Sequence, residues 1–519
     1  MTAAWAGGEQ NHADVIIIGS GISALTCATL LTKQGRKVVV LEQYKKPGGY
    51  LHGFDRFGHH FDTGAHYVGA MHEGQPFQVL LDYLGVYSPE LFVPLDSSGF
   101  DVFHFPERTV YFPEGYSELI SALSAQFPEE RAAITRYFEL VRDIASQFPT
   151  YHFSDEMALE LPPLALDTSL ASVAESLTNN AQLRSVFYAY CVLHGVRPHD
   201  VPFGFHAIVT DSLIRGPCGF KHGGGALADR FIERIEAGGG RVLLRNRVRD
   251  LSVKDGLIQD VQVESGERFT AEWVVSAIHP KATLRLVSDA SVFRPAWRER
   301  VSALRESVGL FGVYADCAAA MPLNPLKNYF FFGSSDPAQL LESTSPDREP
   351  GALFACVPNR IGADHRGRVP LTLHAASPIE WFAPWRTDRF GRRGPGYKQF
   401  KAGYARQMFA AIERHYPGFV DCVGGHVTSS PLTNMHFNGS VDGSSYGIYH
   451  SMETTGPRAL GPRTRVRNLL LTGQNYLFPG LLGAAVSALR TSGHMVGIKA
   501  VLRELEKRVA TPGRWSDRA

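Results

Sequence analysis

Val15-Ile16-Ile17-Ile18-Gly19-Ser20-Gly21-Ile22-Ser23-Ala24 runs into a helical pattern and then into Lys37-Val38-Val39-Val40-Leu41-Glu42. A buried strand, a glycine turn, a helix and a second strand ending in an acid make a dinucleotide-binding βαβ unit. Each part has a mechanical task. Gly19 permits the tight turn, Gly21 lets the backbone approach a pyrophosphate, and Ala24 keeps helix and strand close. The helix start, with Ser20, Ile22 and Ser23 around it, offers free N–H groups and a positive dipole end to phosphates. Glu42 stands 23 positions after Gly19, near the spacing of about 20 expected of the acid that binds a ribose hydroxyl. Gln43 beside it belongs to the same candidate site. The expected ligand therefore contains an adenosine with free ribose hydroxyls.

A chain of 519 residues exceeds one ordinary core, which predicts more than one domain. With 52 basic against 51 acidic side chains and a net charge of +1, there is no global field to attract nucleic acid. No uninterrupted apolar run reaches the roughly 18 residues of a membrane span. Residues 1–13 are short and carry no basic cluster, so they do not read as a signal peptide. The six cysteines are scattered without metal-ligand or redox spacing, as expected of buried thiols in a reducing cytoplasm.

Outward from the first unit, the pattern turns mostly helical with polar loops over residues 75–215, including a helix opened by Pro113-Glu114-Gly115-Tyr116-Ser117 and another over 129–148. Strand character returns at Arg241-Val242-Leu243-Leu244, in a meander from Val248 to Val263 and at Trp273-Val274-Val275-Ser276-Ala277. Tyr329-Phe330-Phe331-Phe332 and Leu371-Thr372-Leu373-His374 also read as strands, and Asn468-Leu469-Leu470-Leu471-Thr472-Gly473 precedes a last glycine- and alanine-rich helix. This predicts an α/β chain whose nucleotide domain is assembled from residues 13–75, 216–290 and 461–505. An α+β substrate domain is inserted as 76–215 and 291–460. Gly223-Gly224-Gly225 does not read as following a buried strand, so it is expected to open a helix and not to form a second dinucleotide site.

Gly48-Gly49 with His52 and Phe54, Phe61-Asp62-Thr63-Gly64, His66-Tyr67, Gly69, Met71 and the terminal Leu471-Thr472-Gly473-Gln474 resemble a known group. It is the FAD-dependent family of phytoene desaturases, carotenoid isomerases and retinol saturases, and the retinol saturases are the most similar. Likeness is clear over residues 13–75 and 460–495. The resemblance implies a glutathione-reductase-like Rossmann domain binding FAD, a large apolar substrate cavity and peripheral membrane contact. It implies that Glu42 holds the adenosine ribose, that the backbone at Val248 meets the adenine, that Gly48, Gly49 and Tyr50 lie beside the flavin end, and that Gly473 lies near the pyrophosphate and ribityl chain. Two positions depart from the group: Tyr50-Leu51 stands where retinol saturases tend to carry cysteines, and Asn475 where an acid is common.

The last helix has its own physical reading. Pro479-Gly480-Leu481-Leu482-Gly483-Ala484 puts small residues at a helix start, so its N–H groups can approach a flat ligand and its dipole can stabilise a reduced flavin. The alternative is that Gly480, Gly483 and Ala484 serve helix packing. His66 is the candidate acid or base, because it follows Gly64 in the segment expected near the flavin; Asp62 is expected to order that loop. Tyr446, Tyr449 and His450 are candidate substrate-binding residues, with core packing as the alternative reading. No metal is expected, since His52, His59, His60, His66 and His72 lack a ligand pattern. Phe293, Trp297, Val301 and Leu304 among arginines make residues 292–304 a candidate interfacial helix.

Together these readings predict an FAD-dependent oxidoreductase that saturates or desaturates carbon–carbon bonds of a long apolar lipid such as a carotenoid, retinoid or fatty-acyl chain. NAD(P)H is a candidate electron donor, and the expected location is cytoplasmic, on the inner face of a membrane. A carotenoid cis–trans isomerase, a flavin amine oxidase and a non-enzymatic prenyl-lipid escort protein are the alternatives.

Overall fold

The computed structural model describes residues 11–153, 163–342, 345–358 and 366–509. Most of the N-terminal stretch read above for a signal peptide therefore lies outside the described residues. Strand β1 (His12–Ile18), helix α1 (Ile22–Lys33) and strand β2 (Val38–Leu41) form the expected βαβ unit, with β1 and β2 parallel and Val15 opposite Val38. Val15 to Ile18 and Val38 to Leu41 are all buried. Such continuous apolar runs are what a parallel sheet covered on both faces requires.

The strand Arg241–Leu243 extends this sheet beyond β2, and Arg268–Ser276 lies on the other side of β1 with Leu469–Leu471 beyond it, all parallel. The antiparallel strands Leu257–Val263 and Val248–Lys254 continue from Arg268–Ser276 and complete seven strands. Helix α1 packs against both Gly224–Ala237 and Leu481–Ser492, which explains why nearly its whole surface is buried.

A second seven-stranded sheet has the order Val423–Ser429, Leu310–Ala318, Arg368–Ala376, Ala352–Cys356, Asn328–Phe332, Asp101–His104, Thr109–Phe112. Its pairs are antiparallel except for Asp101–His104 against Asn328–Phe332. Residues 75–215 are thus less helical than expected. Asp101–His104 and Thr109–Phe112 have four residues each, too short for a period of two to stand out.

Two further expectations are corrected. Gly223 does follow a buried strand, Cys218–Phe220, but that strand pairs antiparallel with Tyr67–Val68 and Phe92–Pro94 instead of joining the nucleotide sheet. The helix it leads into is closed at its start, because Gly224 N donates to Asp62 Oδ1 at 2.8 Å and Leu51 O lies 2.9 Å from where a Gly224 Cβ would stand. Residues 292–304 hold only the short helix Pro295–Ser302; Phe293 and Val301 are buried and Phe293 stacks on Trp297, so their apolar groups are spent inward. No helix among the described residues is long and apolar enough to cross a membrane.

Candidate active site

The two ends of the chain meet at a glycine cradle. Gly19 turns with φ +94°, and Gly21, the residue before α1, leaves that helix start without a side-chain cap. A Cβ built on Gly21 meets nothing within 4 Å. Gly48 (φ +105°) donates its N–H to Ser20 O at 3.0 Å and bridges to Gly21, while a Cβ on Gly49 would lie 3.2 Å from the Gly21 Cα. Glu42 is buried: Oε2 accepts Ser20 N at 2.9 Å and Ser20 Oγ at 2.6 Å, and Oε1 accepts Tyr44 N at 2.7 Å. A carboxylate has about four lone-pair sites, so one is left for a ribose hydroxyl.

On the C-terminal side Gly473 (φ +107°) donates to Ser487 Oγ at 2.9 Å, and Thr472 and Ser23 share a hydroxyl contact of 2.7 Å. Gly480 (φ +83°) precedes the helix Leu481–Ser492, again with no side-chain cap and nothing within 4 Å of a built Cβ. Gly483 differs: its Cβ would strike Phe478 Cβ and O at 2.7 Å, so helix packing already demands a glycine there. Two uncapped helix starts open on one cavity at positions where a side chain would meet only empty space. This donor set, with the lone pair left on Glu42, fits an FAD.

The cavity holds about 1370 Å³, more than the roughly 300–1000 Å³ of an ordinary small-molecule site, which leaves room for a second ligand beside a dinucleotide. Of the expected cofactor residues, Gly19, Ser20, Gly21, Ile22, Ser23, Glu42, Gln43, Gly48, Gly49, Tyr50, Val248, Gly473, Gly483 and Ala484 line it. Ala24 does not, being wholly buried in α1. Tyr446 and Tyr449 line the wall, with hydroxyls already committed: Tyr446 donates to Val192 O at 2.9 Å and Tyr449 to Asp200 at 2.6 Å. They contribute ring surface. His450 is not on the wall; it is buried against Phe205, and burial pushes its pKa down to about 4.

His66 lines the cavity at the junction with the second sheet. The path to it from the cradle is continuous: Gly49 against Gly21, Tyr50, then Gly64, whose Cβ would lie 2.8 Å from the Tyr50 ring. Opposite His66, with ring centroids 4.8 Å apart, stands His374. Sequence reading placed His374 in a strand but assigned it no role. The available signal was alternation, since Val369, Leu371, Leu373 and Ala375 are apolar on one face and leave Thr372 and His374 on the other. A trio of buried His279 with half-buried Lys281 and Glu306 was also missed: His279 Nε2 donates to Glu306 Oε2 at 2.9 Å, and Lys281 Nζ lies 2.8 Å from Glu306 Oε1.

Three of the five histidines weighed for a metal go to separate carboxylates, His59 to Asp316, His60 to Asp55 and His72 to Glu114. Among the described residues, the group that comes within ligand distance is Cys191, His194 and His206. The imidazole lone pairs of its two histidines that face one another are engaged, because His194 Nδ1 accepts Val196 N at 3.2 Å, which leaves Nε2–H to donate to His206 Nδ1 at 3.2 Å.

The profile of the family described as flavin containing amine oxidoreductase matches residues 22–317. The chain is 28% identical over 547 residues to all-trans-retinol 13,14-reductase of Homo sapiens, covering 96% of this chain and 88% of that one. It is 25% identical over 469 residues to chloroplastic prolycopene isomerase of Arabidopsis thaliana, covering 85% and 75%. Its fold is similar to that of cyclohexylamine oxidase from Brevibacterium oxydans IH-35A, with a TM-score of 0.60 at 18% identity, covering 95% and 99% of the two chains. With the glycine cradle, these likenesses make the chain a member of the flavin-containing amine oxidoreductase family and an FAD-dependent oxidoreductase.

Proposed function

We propose that this protein adds a hydrogen pair across a carbon–carbon double bond, or removes one across a single bond to form it, in a long apolar polyene of the retinoid or carotenoid class. The observation that carries the reading is one continuous cavity: one end is the glycine cradle, and the other is walled by apolar and aromatic groups of the second sheet such as Phe354 and Leu310. The retinoid and carotenoid relatives support the substrate class.

FAD, when bound, supplies two-electron hydride transfer. The rest falls to the chain. The start of helix Leu481–Ser492 turns its dipole toward the flavin end and favours negative charge there. His66 exchanges a proton at a ring nitrogen with the polyene carbon that does not receive the hydride. The sheet wall keeps water from the reacting carbons. We also assign electron supply to NAD(P)H, delivery of substrate to contact with a membrane surface, and the location to the cytoplasmic side.

The test is an absorption spectrum of the purified protein, recorded anaerobically with NADPH and separately with all-trans-retinol or a carotenoid extract. Bleaching of the flavin band by NADPH, then recovery on adding polyene, is the expected result for a saturase; bleaching by polyene alone identifies a desaturase. A flavin band that responds to neither, but bleaches with amines, refutes the proposal.

A further inference from the structure

The stretch from Ile379 to Lys401 carries six basic side chains against two acidic ones, Glu380 and Asp388, in a chain whose net charge is +1. Half-buried Trp381 and Trp385 root this stretch, Trp381 edge-on to Tyr404 and Trp385 against Phe400. Beyond them Arg386, Arg389, Phe390 and Arg392 are exposed. Phe390 lies flat on His436, with ring centroids 4.1 Å apart, and is still 40% exposed. Arg386 pairs with Asp442, whereas Arg389, Arg392 and Arg393 enter no ion pair among the described residues.

A second, small cavity lies within this patch. It holds about 180 Å³, less than the roughly 300–1000 Å³ of a small-molecule site, so it takes a head group and not a polyene. Arg386 and Arg393 line it together with Leu432 and Met435, and its acid is Asp388. The Nε–H of Arg393 is buried without an acceptor. A guanidinium with an unmet donor is matched by phosphate oxygens.

The patch also borders an opening of the large cavity. Glu380 and Gly439 line that cavity and are exposed. Asp442, the partner of Arg386, and Phe437, edge-on to Phe390 at 5.0 Å, line it as well. Cations beside aromatic rings are what an anionic lipid surface attracts, the arginines to phosphates and the rings to the interfacial layer. A nucleic acid would match the charge but gives no reason for it to stand at the rim of a cavity with apolar walls.

Resting on the polyene reading above, we propose that residues 385–393 are the surface by which this protein docks on an anionic phospholipid bilayer. A lipid phosphate is held between Arg386 and Arg393, and Phe390 enters the interface. Polyene then passes from the leaflet into the cavity across the rim at Glu380 and Gly439 without crossing water. The helix Pro295–Ser302, whose composition also suits an interface, takes no part.

The experiment floats the flavin-loaded protein with vesicles of phosphatidylcholine alone and of equal parts phosphatidylcholine and phosphatidylserine. Wild type is expected to float with the acidic vesicles only, and to be released when salt shortens the screening length from about 10 Å at 0.1 M to about 3 Å at 1 M. Arg389→Gln/Arg392→Gln weakens this binding about 30-fold, and adding Arg393→Gln takes the loss to about 10²-fold. Flavin content and urea midpoint of the double variant match wild type. Arg294→Gln/Arg298→Gln, at the other candidate helix, stays within about twofold of wild type. Equal flotation with neutral vesicles overturns the docking surface. So does flotation that survives in Arg389→Gln/Arg392→Gln, or a wild type that binds a single-stranded oligonucleotide and no vesicle. None of these outcomes touches the polyene reading, which the flavin band decides with retinol in detergent. If acidic vesicles capture the protein as described, yet retinol in vesicles or detergent never changes the flavin band, the polyene reading falls and the docking surface stands.

Discussion

Replacing Gly21 by valine separates cofactor binding from folding, because the structure gives the two effects different sizes. Gly21 has φ −63° and ψ 169°, an extended conformation that valine adopts without strain. No protein atom lies within 4 Å of the added Cβ, so the fold loses only a residue preferred before a helix, about 1 kcal/mol or less. That moves the melting temperature of the apoprotein by about 2 °C or less. The cofactor meets a different situation. The valine methyls project into the cavity in front of the first turn of α1, where the phosphate oxygens meet the N–H groups. Two charge-assisted hydrogen bonds lost at about 1.5–3 kcal/mol each total about 3–6 kcal/mol, or roughly 10²–10⁴-fold in flavin affinity. The assay is the ratio of flavin to protein absorbance after gel filtration, with Gly461→Val as control. Gly461 also has open space at its Cβ but lies off the cavity wall. A wild-type flavin ratio in Gly21→Val refutes the placement of the pyrophosphate at α1.

Three further outcomes are expected. His66→Ala keeps its flavin but lowers kcat by about 10²–10⁴-fold; full activity in steady-state assays removes His66 from proton transfer. Asp62→Ala takes away the acceptor for Gly224 N and lowers stability by about 1–2 kcal/mol, read from the urea midpoint, which stays unchanged if Asp62 does not close that helix. Acid should destabilise the fold early. Burial holds His104 and His206 near pKa 3 and His374 and His450 near 4. All four sit below the unfolded value of about 6.5, so the unfolded chain binds more protons and stability falls as pH drops through 6.5. Between pH 6 and 5 the loss is about 1 kcal/mol per histidine; denaturation midpoints that stay flat across this interval contradict it.

What could be read from the sequence and what could not divides by the range of the forces involved. The strand Val15 to Ile18, the turn at Gly19 and the strand Val38 to Leu41 are legible because period, turn chemistry and spacing are local. The four-residue strand at Asp101 is placed by a partner more than 200 residues away, Asn328 opposite Asp101, and Thr109–Phe112 joins the sheet only through it, so local pattern carries no trace of either. His374 was hidden for the same reason: it comes to stand opposite His66, at the far end of the chain, through pairing with neighbouring strands. Glycine shows the limit most sharply. Gly21, Gly49, Gly480 and Gly483 look alike as letters in small-residue motifs, and each was read as cofactor-facing or, for the last helix, as packing. A built Cβ separates them. At Gly21 it enters empty space in an extended backbone that any residue adopts, so the protein itself gives no steric reason to exclude a side chain and a ligand supplies one; at Gly480 the space is also open, but φ +83° already favours glycine. At Gly483 it strikes Phe478, and at Gly49 it crowds Gly21, so packing alone accounts for the residue. Substituting Gly21 should therefore empty the site and leave the apoprotein's stability nearly unchanged, whereas substituting Gly480, with its φ of +83°, or Gly483, against Phe478, should lower the stability of the apoprotein as well.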